Sequence, residues 1–150
     1  MAFDFAPVTA GDFDALVALR LATMRQSLER IGRFDPAVAV ERFRRTFRPA
    51  DTQRIVVGGE AAGCVGCWPE PPDAMRIEHF YLDARFQNRG LGSAVLQRLL
   101  NEAPNRVRLF RVGALRESDA NRFYQRHGFI KVSEDEWDIA YERLHPPAPG

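Results

Sequence analysis

Gly90 and Gly92 stand between an extended apolar run that ends at Leu82 and a segment whose Leu91, Val95, Leu96, Leu99 and Leu100 recur at helical spacing. A strand, a glycine turn and a helix, in that order, point consecutive backbone N–H groups outward from a helix N-terminus. That geometry binds phosphate. Glycine suits it because a side chain would block close approach of a pyrophosphate, and because such a turn draws on positive φ. A P-loop reads GxxxxGK[ST], and no Lys follows these glycines. A dinucleotide fingerprint needs Gly or Ala where Val95 stands, with an acidic residue about 20 positions on, which is missing. Both common nucleotide readings fail on residues.

Other chemistry-bearing side chains are read as structural. Cys64 and Cys67 form a CxxC, but a strand points residues three apart to opposite faces, and no second Cys or His pair completes a zinc site. They are expected as small buried side chains. Arg42, Arg44, Arg45 and Arg48 lie on a solvated helix face, with Glu41 and Arg45 as an i, i+4 pair, and do not form a nucleic-acid patch. His127 is placed at a helix C-terminus, where a cation is favoured.

The elements follow from periodicity and punctuation. Phe3 to Ala6 opens as a strand closed by Pro7, and Thr9 with Asp12 forms a capping box. Phe13, Val17, Leu21, Met24, Leu28 and Ile31 trace one apolar helical stripe ending near Gly32. Asp35 and Pro36 start a second helix, with Val40, Phe43 and Phe47 inward. Gly58 and Gly59 turn a hairpin, and Met75 to Leu82 is a third extended run. A strand from Arg106 to Val112 changes phase between Leu109 and Phe110, which predicts a bulge or a splayed edge. A helix from about Ser118 to His127 stops at Gly128, and Phe129 to Val132 and Trp137 to Leu144 close the chain as strands.

The loop and its surroundings resemble the GNAT superfamily of N-acetyltransferases along the whole chain. Phe80, Tyr81 and Leu82 end a strand and are followed by the [QR]xxGx[GA] pattern as Gln87, Asn88, Arg89, Gly90, Leu91 and Gly92. Downstream, Phe123, Tyr124, Gln125, Arg126, His127, Gly128 and Phe129 spell FYxxxGF. Two helices before a hairpin match in order. The resemblance implies an α/β (α+β) fold: a mixed, mostly antiparallel sheet of six to seven strands flanked by about four helices, with a V-shaped opening between the Met75 and Arg106 strands. It spans residues 1–145, leaving 146–150 as a flexible tail.

The resemblance also implies the chemistry. Acetyl-CoA is the cosubstrate: its pyrophosphate lies on Gln87, Asn88, Arg89, Gly90, Leu91, Gly92 and Ser93, and its pantetheine arm runs along the backbones of Phe80 and Leu82 as an added strand. Tyr124 donates a proton to the departing thiolate, and the N–H of Leu82 polarises the thioester carbonyl. The base falls on Glu78, directly or through water. An effective one would need a raised pKa. His79 has a suitable intrinsic pKa but the opposite strand parity and ranks second. Position 117 departs from the family, with Glu where Asn is common, so Glu117 is expected to turn toward solvent or a cationic acceptor.

Composition fits this reading. The 150 residues, 45% hydrophobic and 27% charged, suit one globular domain that needs neither disulfide nor metal to fold. A net charge of +1 gives no long-range pull on nucleic acid or membrane, so an anion site must be local. The first residues carry acids and no basic segment, and no apolar run approaches the ~18 residues of a membrane span. The expected place is the cytoplasm.

The activity these readings give is N-acetylation of a primary amine on a small molecule or protein by direct attack in a ternary complex. A non-catalytic acyl-CoA-binding or protein-interaction domain is the alternative. Acceptor choice falls to the first helices, where Arg25, Gln26, Ser27 and Arg33 flank the stripe, Arg25 as a partner for an acceptor carboxylate. Sheet edges offer a route to a homodimer.

Overall fold

The computed structural model describes residues 2–146, so of the expected tail only Pro146 falls among the described residues. Eleven elements follow in order: β1 (Asp4–Pro7), α1 (Phe13–Arg30), α2 (Pro36–Thr46), β2 (Thr52–Val57), β3 (Glu60–Glu70), β4 (Ala74–Leu82), α3 (Leu91–Asn101), β5 (Leu109–Leu115), α4 (Ala120–Arg126), β6 (Ile130–Glu134) and β7 (Asp138–Leu144). The strands hydrogen-bond in the order β1-β2-β3-β4-β5-β7-β6. β4 and β5 are parallel, with pairs from Ala74↔Leu109 to Ile77↔Val112. The ladder ends there, although β4 goes on to Leu82 and β5 to Leu115. β1–β2, β2–β3, β5–β7 and β6–β7 are antiparallel.

Local chemistry sets the boundaries. Asp12 accepts from the Thr9 N–H at 2.9 Å, and Asp35 accepts from the N–H groups of Ala37 and Val38 ahead of α2. Gly58 and Gly59 have φ of 56° and 82°, the conformation of a tight hairpin turn between β2 and β3.

The chain forms two compact units. The first is Met1–Thr23, Asp35–Cys67 and His79–Ala103; the second is Met24–Phe34, Trp68–Glu78 and Pro104–Gly150. In the first, Phe43, Ile55, Val65, Leu91, Val95 and Leu96 are fully buried. In the second, Ile77, Phe110, Val112 and Tyr141 are.

Four expectations are corrected. The most buried residues of α1 are Leu16, Arg20, Ser27 and Leu28; of these only Leu28 belongs to the expected stripe, whose Phe13, Val17, Leu21, Met24 and Ile31 are half-buried. β5 begins at Leu109 rather than Arg106, and its ladder with β7 runs without a shift. Val107 precedes the strand, so the change of phase marks a boundary, while Phe110, Val112 and Ala114 alternate regularly inward. The helix expected from Ser118 is α4, starting at Ala120. Glu41 pairs with Arg44 at 3.4 Å instead of Arg45.

Candidate active site

In the first unit, β4 runs into the glycine loop through a short braced turn. Asp83 accepts from the Arg85 N–H at 3.0 Å, Phe86 is buried, and the Gln87 amide donates to the Leu82 carbonyl at 2.9 Å. Asn88 and Gly90 then take left-handed φ values of 61° and 81°. Alternation of left-handed residues turns successive N–H groups to one side, which makes an anion-binding concavity. Gly90 precedes the first residue of α3 and carries no side chain to accept from the helix, so no side-chain cap competes for its first N–H groups. No atom lies within 4 Å of where a Cβ on Gly90 would stand, so the space before the helix is open. Asn88, Arg89 and Gly90 are exposed, whereas the Leu91 side chain is fully buried and can offer a ligand only its backbone.

β4 itself departs from strand parity just ahead of this loop. His79 has φ of 52°, a left-handed residue inside a strand, which breaks the two-residue alternation assumed for residues 76–82. Its side chain is buried against Phe43 and hydrogen-bonded at both nitrogens, Nδ1 to the Tyr81 hydroxyl at 3.1 Å and Nε2 to Thr46 at 2.7 Å. Burial, and next the charge of Arg20, hold its pKa down at about 4. The neighbouring strand yields to this path: a Cβ on Gly63 would stand 2.1 Å from the Tyr81 carbonyl oxygen. Cys64 donates its thiol to the His79 carbonyl. Burial pushes the thiols of Cys64 and Cys67 up to about 12 and about 11, so neither is a thiolate at neutral pH.

In the second unit, Glu78 is half-buried, 3.6 Å from Arg76. Arg76 belongs to a ladder of alternating charge on one face of four strands. Glu70 pairs with Arg76 at 2.9 Å and Arg111 at 3.3 Å, and Arg111 pairs with its strand partner Glu142 at 3.1 Å. Burial would raise the Glu70 pKa, but hydrogen bonds and charge from Arg76 and Arg111 outweigh it and leave the carboxyl below its usual range. Tyr124 is buried, its ring packed on Phe123, Phe129 and Tyr141. Asn121 shapes the turn before it, donating to the carbonyls of Leu115 and Ser118 and accepting from the Tyr141 hydroxyl. Glu117 is exposed with φ of 66°, and its carbonyl accepts from Arg30 at 2.8 Å.

The sequence model of the Acetyltransferase (GNAT) family matches residues 21–129. The chain belongs to that family. Its fold is that of solved GNAT-type structures. An acetyltransferase from Thermus thermophilus superposes with a TM-score of 0.71 at 21% identity, covering 96% of this chain and 97% of that one. Ard1 from Thermoplasma volcanium gives 0.66 at 20% identity, covering 96% and 98%. The PaiA N-acetyltransferase from Thermoplasma acidophilum, solved in complex with coenzyme A, gives 0.69 at 12% identity, covering 96% and 99%. No curated protein matches the sequence.

As a GNAT acetyltransferase, the chain keeps the loop residues Gln87 to Ser93 and the strand residues Phe80 and Leu82 in its first unit, and Glu78 and Tyr124 in its second. His127 caps the C-terminus of α4 as the sequence reading places it, but burial, then the charges of Arg126 and Arg143, lower its pKa and disfavour the cation. Arg25 pairs with Glu29 at 2.7 Å on the helix surface, and Arg33 pairs with Glu136 and stacks on Trp137. Sequence reasoning passed over Arg20. It lies one turn beyond Leu16, a leucine outside the expected stripe, so spacing alone gave no signal of its burial. Among the described residues no group of His, Cys, Asp or Glu is arranged to hold a metal ion, and no helix is long and apolar enough to cross a membrane.

Proposed function

We propose that this GNAT chain transfers the acetyl group of acetyl-CoA to a primary amine of a small molecule or protein by direct attack in a ternary complex. The observation that carries the reading is the uncapped start of α3 behind two left-handed residues, Asn88 and Gly90, with open space in front of it. This cradle fits a dianionic phosphate, which a helix N-terminus and converging N–H groups favour without a basic side chain. Gln87, Asn88, Arg89, Gly90, Leu91, Gly92 and Ser93 would hold the pyrophosphate through their backbone. The Gln87 side chain braces the loop against Leu82. The β4–β5 ladder stops at Ile77, which supports the backbones of Phe80 and Leu82 as an edge along which an amide-bearing arm can bind as a strand.

Acetyl-CoA supplies the activated acetyl group. The chain's part is to take a proton from the amine and give one to the thiolate. Glu78 is the base, directly or through water: its half-buried carboxylate is held beside Arg76 at 3.6 Å. The buried His79, with both nitrogens engaged, is less suited to that role. Tyr124 is the acid, a phenol whose O–H is the donor for the departing thiolate. Its aromatic packing fixes the ring in place.

The test is a thermal-shift titration with acetyl-CoA on wild type and Gly90→Val, followed by an amine screen for thiol release. Ligand at about 100 times its dissociation constant adds roughly 2.7 kcal/mol, several degrees for a domain of this size. Valine is strained at the φ of 81° and projects into the cradle. A shift in wild type that the variant lacks is expected. Equal shifts in both, or none, overturn the assignment of the loop.

A further inference from the structure

Arg20 is the one Arg or Lys that is buried among the described residues, with 7% of its surface exposed. Its Nη1 donates to the Tyr81 hydroxyl, and its guanidinium carbon lies 5.9 Å from the ring centroids of Phe43 and Tyr81. Its Nε is buried with no hydrogen-bond partner, and among the described residues no carboxylate pairs with it. Exposed arginines nearby in sequence fare differently. Arg25 pairs with Glu29 and Arg44 with Glu41, on the outer faces of their helices. The chain therefore gives acids to charges that water would solvate and none to the charge it withdraws from water. A guanidinium taken out of solvent needs an anion or a full set of acceptors.

The residues around Arg20 cannot supply either. Arginine has donors only, so the Tyr81 hydroxyl accepts from it and turns its own proton toward His79 Nδ1. His79 then carries its proton on Nε2 and donates to Thr46, whose hydroxyl donates to the Arg42 carbonyl. Every hydrogen bond in this chain runs one way, away from Arg20. The remaining wall is aromatic: Phe43 packs at 5.5 Å from Phe13 and 5.1 Å from Phe47. Nη1 meets one acceptor and the buried Nε meets none, in surroundings where low dielectric strengthens any ion pair that forms.

We infer that Arg20 is the receptor for a carboxylate on the acceptor, and that the acceptor is an amino acid. The inference rests on the acetyl-transfer reading and names its substrate class. A planar guanidinium fork pairs with two carboxylate oxygens at once, and the buried Nε is the donor left for one of them. The Tyr81–His79–Thr46 chain holds the fork in orientation, since its first acceptor is fixed from behind.

The test uses the whole chain saturated with coenzyme A and a probe set of the twenty L-amino acids, each with its α-amide. Binding is read by thermal shift and turnover by thiol release from acetyl-CoA. At least one amino acid is expected to shift the melting temperature where its amide does not, with a tenfold or larger preference in kcat/KM. Arg20→Met is expected to abolish that preference with the KM for acetyl-CoA unchanged. Arg20→Lys, which keeps the charge and loses the fork, should retain part of it. Unliganded Arg20→Met should melt at or above the wild-type temperature, because it removes an unpaired buried charge.

Equal response to acids and amides, no response to any acid, or a preference that survives Arg20→Met overturns the inference. So does a loss of coenzyme affinity in that variant, which would assign the guanidinium to the coenzyme. Absence of any shift with coenzyme A itself is a separate result and overturns the acetyl-transfer reading.

Discussion

His79 couples backbone strain to a buried neutral ring, and both have measurable consequences. Its pKa in the folded chain is about 4, below the 6.5 of a free histidine. Between those values the unfolded chain binds a proton that the folded chain refuses, so stability rises with pH across that window and is lost as pH falls from 6.5 toward 4. The full effect is roughly 3 kcal/mol at most, on the linkage of about 1.4 kcal/mol per unit. His127 and His145, both lowered chiefly by burial, act in the same direction. Melting temperature measured from pH 7.5 to 4 should fall more steeply for wild type than for His79→Asn, which tolerates left-handed φ and cannot titrate. Parallel curves would mean that the ring does not carry the effect. Tyr124→Phe tests the proposed acid: it keeps the packing on Phe123 and Phe129 and removes the hydroxyl. The expected loss is about 10²-fold or more in kcat with the KM for acetyl-CoA little changed.

At the scale of elements, the sequence was legible wherever one residue type has one local meaning. Asp35 before Pro36 caps α2, Thr9 with Asp12 opens the turn into α1, and Gly58–Gly59 closes the β2–β3 hairpin. The geometry of the glycine loop belongs with them, because left-handed backbone of the kind seen at Asn88 and Gly90 is one that only a few residue types permit. What periodicity missed was decided by tertiary partners. The left-handed His79 is held in a hydrogen-bond chain between Tyr81 and Thr46, and Thr46 is 33 positions away, beyond any local window of sequence. Arg20 lies outside the expected apolar stripe, and the rotation of the helix turns it inward. Gly63, read as one small residue of a strand, is where β3 yields to the β4 backbone, with its virtual Cβ 2.1 Å from the Tyr81 oxygen. Gly63→Ala should therefore destabilise the chain by about 1–3 kcal/mol, the overpacking range. It should also weaken acetyl-CoA binding, since the strain falls on Tyr81 and Leu82 ahead of the loop. A denaturant midpoint within about 0.5 kcal/mol of wild type would show that β3 can move aside.

Neither compact unit of the whole molecule is a continuous piece of chain. Each is built from three segments, and α1, β3 and β4 each have residues in both. Melting one unit alone would leave half of a helix and parts of two strands without their continuation, so hydrogen bonds inside those elements tie the stability of the units together. The expected result is one calorimetric transition, with van't Hoff and calorimetric enthalpies equal. The proposed coenzyme cradle, Gln87 to Ser93, lies in the first unit, whereas Tyr124 lies in the second. A ligand that binds only the cradle should then raise the melting temperature of the entire transition, by the several degrees that mass action gives at high saturation. Tryptophan fluorescence reports on the second unit, because both Trp68 and Trp137 belong to it. Its midpoint should shift with acetyl-CoA by the same amount as the calorimetric one. A fluorescence midpoint that stays fixed while calorimetry splits into a shifted and an unshifted peak would show that the units melt separately despite their shared elements.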